Sequence, residues 1–117
     1  MSTVLILEKE DILKKLYREE LEEEGYRILL VEDEKGALKM LEENVPDLII
    51  TNYQIPSTES YISMLHMANK IKGIPVIIYT AFPREMIDAD SYKMTDYLVK
   101  SSNLNELKNK IREMVIS

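Results

Sequence analysis

Short apolar runs alternate along this chain with longer stretches whose apolar residues recur every three or four positions. The runs predict strands at about 3–8, 26–31, 47–52, 75–80 and 96–99. The periodic stretches predict helices at about 10–24, 34–44, 58–71, 84–92 and 103–115. Leu48-Ile49-Ile50 and Val76-Ile77-Ile78 are apolar at successive residues, as in strands buried on both faces. Ile74-Pro75 fixes an extended entry into the fourth strand. The first helix carries Ile12, Leu13, Leu16, Tyr17 and Leu21 on one side and stops at Gly25, which suits a left-handed turn. The last opens on Asn103 with Glu106 three residues later, a capping-box-like start, and should bury Leu104, Leu107, Ile111 and Val115. Five strand-then-helix units imply an α/β fold, a parallel sheet with helices on both faces, because each parallel crossover needs a helix and runs right-handed.

Composition adds mostly exclusions. At 117 residues, 45% hydrophobic and 31% charged, the sequence suits one domain over 1–117, with no room for an output domain. No run approaches the roughly 18 to 20 apolar residues of a membrane span, and Met1 leads straight into Val4-Leu5-Ile6-Leu7 without a basic leader. No cysteine is present, which removes disulfides and thiolate sites and fits a cytoplasmic setting. A net charge of −6 argues against nucleic acid as a partner. The acidic run Glu19-Glu20-Leu21-Glu22-Glu23-Glu24 reads as a solvated helix face.

In a sheet of this kind, loop chemistry belongs at the carboxyl ends of the strands. The residues there are Glu8, Lys9 and Glu10 after strand 1, Asn52 after strand 3, Thr80 after strand 4 and Lys100 after strand 5. The segments Asp47-Leu48-Ile49-Ile50-Thr51-Asn52 with Ile55-Pro56, Pro75 to Ala81, and Asp96-Tyr97-Leu98-Val99-Lys100 together resemble the receiver domains of two-component response regulators, the CheY-like superfamily. The likeness covers essentially the whole chain. It implies a doubly wound (βα)5, flavodoxin-like fold with strand order 2-1-3-4-5. It also implies an acidic pair after strand 1, a phosphorylated aspartate after strand 3, and a Thr and a Lys that contact the phosphoryl group.

Against that pattern the site is degenerate. Asn52 stands at the phosphoacceptor position, and an amide is a very poor nucleophile for phosphoryl transfer. The acidic pair is Glu8 and Lys9. One carboxylate, two ammonium groups and a neutral amide leave the pocket at +1, where the family pattern gives −2 and a magnesium ion balances it. Magnesium wants one or two carboxylates, and like charges at roughly 4 Å cost about 4 kcal/mol at an effective dielectric near 20. The magnesium site is therefore expected to be lost, and no cofactor is expected. Lys9 either lies across Glu8 as a built-in cation or points into solvent. Lys100 is expected to pair with Glu8 or to reach the Asn52 amide.

Other departures agree. Ser101 replaces the proline that the family keeps after its strand-5 lysine, so a trans Lys100–Ser101 bond is expected. The helical region from Arg84 to Lys93 holds Asp88, Asp90 and Ser91, poor helix-interior residues, and is expected to be either short or mobile. Arg27 to Glu34 looks superficially like the family's first strand and acidic pair, but only about twenty residues separate Asp33 from Asn52. That is room for one helix and one strand, so Glu32 and Asp33 read as loop acids. Thr80 and Tyr97 match the family's switch pair, although packing alone would explain both.

The functional expectation is a non-enzymatic, stand-alone pseudo-receiver in a phosphorelay. It would act by protein contact with a histidine kinase or a downstream effector, with a homodimer also open. The alternative is a receiver that still responds, through an anionic ligand or another acceptor at the same pocket. Asp47 cannot be that acceptor, since it begins the strand that ends at Asn52, roughly 16 Å away at about 3.3 Å per residue. His66, the one histidine, is a weak phospho-relay candidate on the third helix. A small enzyme or nucleotide binder finds no glycine-rich loop and no nucleophile–base pair.

Overall fold

A computed structural model describes residues 1–51, 59–80, 96–100 and 103–115. Its five strands are β1 (Thr3–Leu7), β2 (Arg27–Val31), β3 (Leu48–Thr51), β4 (Val76–Thr80) and β5 (Asp96–Val99). They form one parallel sheet in the order β2-β1-β3-β4-β5, as expected. The described helices are α1 (Asp11–Glu23), α2 (Glu34–Glu43), α3 (Glu59–His66) and α4 (Asn105–Met114). Asn52, the helix expected over 84–92 and the Lys100–Ser101 bond lie outside the described residues, as does the Tyr97 side chain.

Alternation along the strands divides the core. Leu5, Leu7, Ile49, Val76 and Ile78 pack with Ala37 and Leu41 of α2 and Met64 and Leu65 of α3. Val4, Ile6, Ile50, Ile77 and Tyr79 pack on the opposite side with Tyr17 and Leu21 of α1 and Leu107 and Ile111 of α4. Successive residues of one strand point to opposite faces, so a run apolar at every position fills both layers.

Helix α1 departs from expectation. Leu13, Tyr17 and Leu21 face the sheet, but Ile12 is 83% exposed and Leu16 39%. The Ile12–Leu16 stripe is only about one residue's rotation, 100°, from the Leu13–Tyr17–Leu21 stripe. Its next member is Glu20, which pairs with Lys108 of α4 at 3.2 Å. Glu24 likewise meets Arg112 at 2.8 Å. Part of the acidic run is thus an ionic seam between the first and last helices rather than a purely solvated face.

The ends differ in smaller ways. Gly25 takes φ 98°, the left-handed turn expected after α1. The third helix becomes π-helical over Met67–Ile71, with Lys72 N–H donating to the Met67 carbonyl at 3.0 Å. Gly73 at φ 68° then turns the chain toward β4. At the start of α4, the Asn103 side chain accepts from Asn105 N–H at 3.0 Å. The helix begins one residue later than the capping-box spacing predicts, at Asn105 with Leu104 as N-cap, and Glu106 lies in its first turn.

Candidate functional site

The carboxyl ends of β1, β3 and β4 are adjacent because β1 pairs with β3 and β3 with β4. Glu8 continues the ladder past β1, donating its N–H to the Val31 carbonyl at 2.9 Å. Its side chain is buried, and Oε2 accepts from the N–H groups of Lys9 at 3.1 Å and Glu10 at 3.2 Å. Lys9 and Glu10 are exposed. Of the two placements open for Lys9, the one toward solvent is observed. No ion pair joins it to Glu8 among the described residues.

Thr80 is buried at the end of β4, and its carbonyl accepts from Lys100 N–H at 2.7 Å. Tyr97 sits in β5 opposite Ile78. Of the two partners expected for Lys100, Asn52 lies outside the described residues and Glu8 is not met. Among the described residues it forms no ion pair with Glu8, and its Nζ instead stands 5.6 Å from the centroid of the Tyr79 ring. A cation over an aromatic face is worth about 0.5–1 kcal/mol when exposed, enough to select among the rotamers of a long, flexible stem.

Tyr79 and Tyr17 are contacts that the sequence reading missed. Their rings meet edge to face, 6.3 Å apart at 66°. Burial, and next the negative charge of Glu8, hold the Tyr17 phenol well above the ordinary tyrosine value. The available signal was parity: Tyr79 and Thr80 are neighbours on one strand, so they must face opposite layers.

The residues set aside fall where topology requires. Asp47 sits at the opposite end of the sheet, where its Oδ2 accepts from Thr3 N–H at 2.7 Å and its own N–H donates to the Thr3 carbonyl at 2.8 Å. Glu32 pairs with Lys14, and Asp33 caps α2 by accepting from Gly36 N–H at 2.7 Å. His66 is exposed on α3. Among the described residues, no three His, Cys, Asp or Glu side chains gather as a metal site would require.

Comparison with known proteins agrees with this geometry. The family described as response regulator receiver domain matches residues 4–112. The response regulator ArlR of Staphylococcus saprophyticus is 29% identical over 117 residues, covering 98% of this chain and 53% of its own length. The polar-differentiation response regulator DivK of Brucella anthropi is 32% identical over 82 residues, covering 68% of this chain and 67% of its own. The chain spans about half the length of the first curated relatives it matches, 44% and 53%. Among solved structures, the response regulator TrrA of Thermotoga maritima bound to Mg²⁺-BeF superimposes with a TM-score of 0.82 at 30% identity, covering 98% of this chain and 100% of that one. A complex of the histidine kinase ThkA with TrrA also contains a match, with a TM-score of 0.83 and 31% identity, covering 99% of this chain and 100% of that one. No described helix is long and apolar enough to cross a membrane.

Proposed function

The chain belongs to the response regulator receiver family of two-component signalling, and on that premise we propose that it is a pseudo-receiver, acting by protein contact without being phosphorylated. The observation that carries this reading is the strand-1 end, where Glu8 turns inward and Lys9 is exposed. The family pattern calls for two carboxylates there. The sequence supplies Asn52 where that pattern calls for the reactive aspartate, and an amide cannot form an acyl phosphate as a carboxylate does.

The donor set does not fit magnesium. The single inward carboxylate already accepts two backbone hydrogen bonds on Oε2, and its neighbour is a lysine. A hard divalent cation takes oxygen ligands at close to octahedral geometry, which one such carboxylate beside a lysine does not supply. Lys100, which the family pattern would aim at a phosphoryl oxygen, is engaged by Tyr79.

The partner is a histidine kinase or a downstream effector, a class supported by the complex of TrrA with ThkA. The chain works as one receiver-like unit over 1–117 in the cytoplasm, with a homodimer as the alternative mode of contact that the resemblance leaves open. Intact mass after incubation with acetyl phosphate and magnesium tests the proposal. The unaltered protein should gain no phosphoryl group, whereas the Asn52→Asp/Lys9→Asp double variant should gain one. An adduct on the unaltered chain would instead establish a receiver with another acceptor.

A further inference from the structure

We propose that the groove between α1 and α4 is a binding site for a small organic monoanion with a flat apolar body, such as an aromatic carboxylate or sulfonate. The groove is a cavity of about 470 Å³ between the first and last helices, with β4 behind it. That volume lies within the roughly 300–1,000 Å³ of small-molecule sites. Leu13, Leu16 and Leu104 supply apolar wall, and Tyr17 and Tyr79 supply two aromatic rings.

The charge in the groove selects the ligand's sign and number. Lys108 lines it but is matched by Glu20 at 3.2 Å, so that pair is close to neutral. Lys100 also lines it, half-buried, with its ammonium held over the Tyr79 ring and no carboxylate partner among the described residues. The net of one positive charge suits a monoanion. A di- or triphosphate would bring surplus negative charge against Glu20 with no second unmatched cation among the described lining residues to meet it. The lysine is already positioned by the ring, so less rotamer entropy is lost when an anion binds. An apolar body lying on Leu16 and Leu104 would cover surface that otherwise faces water. The groove shares Lys100 with the strand-end residues, so the site rests on the proposed function, in which Lys100 is held at the Tyr79 ring rather than aimed at a phosphoryl group.

Titration with anilinonaphthalene sulfonate, an aromatic monoanion that fluoresces in apolar surroundings, tests the site against the neutral phenylnaphthylamine. Saturable binding of the sulfonate is expected, with amide shift changes confined to Leu13–Tyr17, Lys100 and Asn103–Lys108. Lys100→Gln should weaken the sulfonate about threefold to fivefold and leave the neutral compound unchanged. Leu16→Glu, a change at a part-exposed position, should weaken both. Shift changes spread over α2 and α3, or equal affinity for the sulfonate in Lys100→Gln, would overturn the proposal, as would no saturable binding at all.

Discussion

Tyr17 of α1 meets Tyr79 of β4 edge to face, with ring centroids 6.3 Å apart and planes at 66°. The pair joins the first helix to the sheet, and the ammonium of Lys100 stands 5.6 Å from the Tyr79 centroid. Edge-to-face pairs of this kind add about 0.5–1.5 kcal/mol beyond the area they bury. A tyrosine on an inward stripe thus has two consequences, one for packing and one for charge.

The charge consequence appears at alkaline pH. Burial and the Glu8 charge raise the Tyr17 phenol in the folded state, whereas in the unfolded chain it titrates near 10. Above that pH the unfolded state loses the proton while the folded state keeps it, so stability declines as pH rises. Below about pH 10 the contribution is fully present. Denaturant melts between pH 9 and pH 11 should show this decline, reduced in Tyr17→Phe. Normal ionisation of all seven tyrosines in the folded protein, read by ultraviolet absorbance, would defeat the assignment. Tyr17→Ala removes the ring as well and should cost about 3 kcal/mol or more.

Two apolar residues on the same helix should behave oppositely. Ile12 is 83% exposed, while Leu21 is fully buried. Ile12→Ser should change stability by no more than about 0.5 kcal/mol, and Leu21→Ala should cost about 2–5 kcal/mol. Comparable losses in urea melts would restore the one-sided reading of α1 and remove Ile12 from the surface.

That misreading shows where sequence logic ends. Strand type and the parallel sheet were legible because continuous apolar runs such as Val76-Ile77-Ile78 mark strands buried on both faces, while the strand order came from the resemblance to receiver domains. Asp33 was set aside correctly on chain distance, and the structure uses it to cap α2. Periodicity could not separate the Ile12–Leu16 stripe from Leu13–Tyr17–Leu21, since they are neighbours on one helix. The π-helical turn at Met67–Ile71 was hidden because it preserves the apolar pattern while changing only the hydrogen-bond register. The Lys100–Tyr79 contact was hidden for a further reason. A long lysine stem reaches several partners, and the tertiary position of Tyr79 is not legible in the sequence.

The α1–α4 seam gives a third test. Lys108–Glu20 is the more enclosed pair, with the Lys108 side chain 20% exposed, against 57% for Arg112 in the Arg112–Glu24 pair. Solvent screening weakens exposed pairs, so a double-mutant cycle should give about 0.5–1 kcal/mol for Lys108–Glu20 and less for Arg112–Glu24. Both couplings should fall at high salt. Equal couplings that do not respond to salt would mean that the helices are held by apolar contact alone.

Lys9 offers the sharpest chemical test of the strand-end pocket. It is exposed beside a carboxylate whose Oε2 already accepts from two N–H groups. Lys9→Asp exchanges a cation for an oxygen ligand, so magnesium affinity, read by calorimetry or by amide shifts at Glu8–Glu10, should rise about tenfold or more. Lys9→Met removes the repulsion without supplying a ligand and should recover only part of that gain. If the two variants gain equally, charge alone governs the pocket and ligand number is irrelevant. If the unaltered chain binds magnesium as well as Lys9→Asp does, the pocket is still a metal site, and the lysine must be tolerated because its ammonium stays in solvent while Glu8 and other oxygens do the ligating.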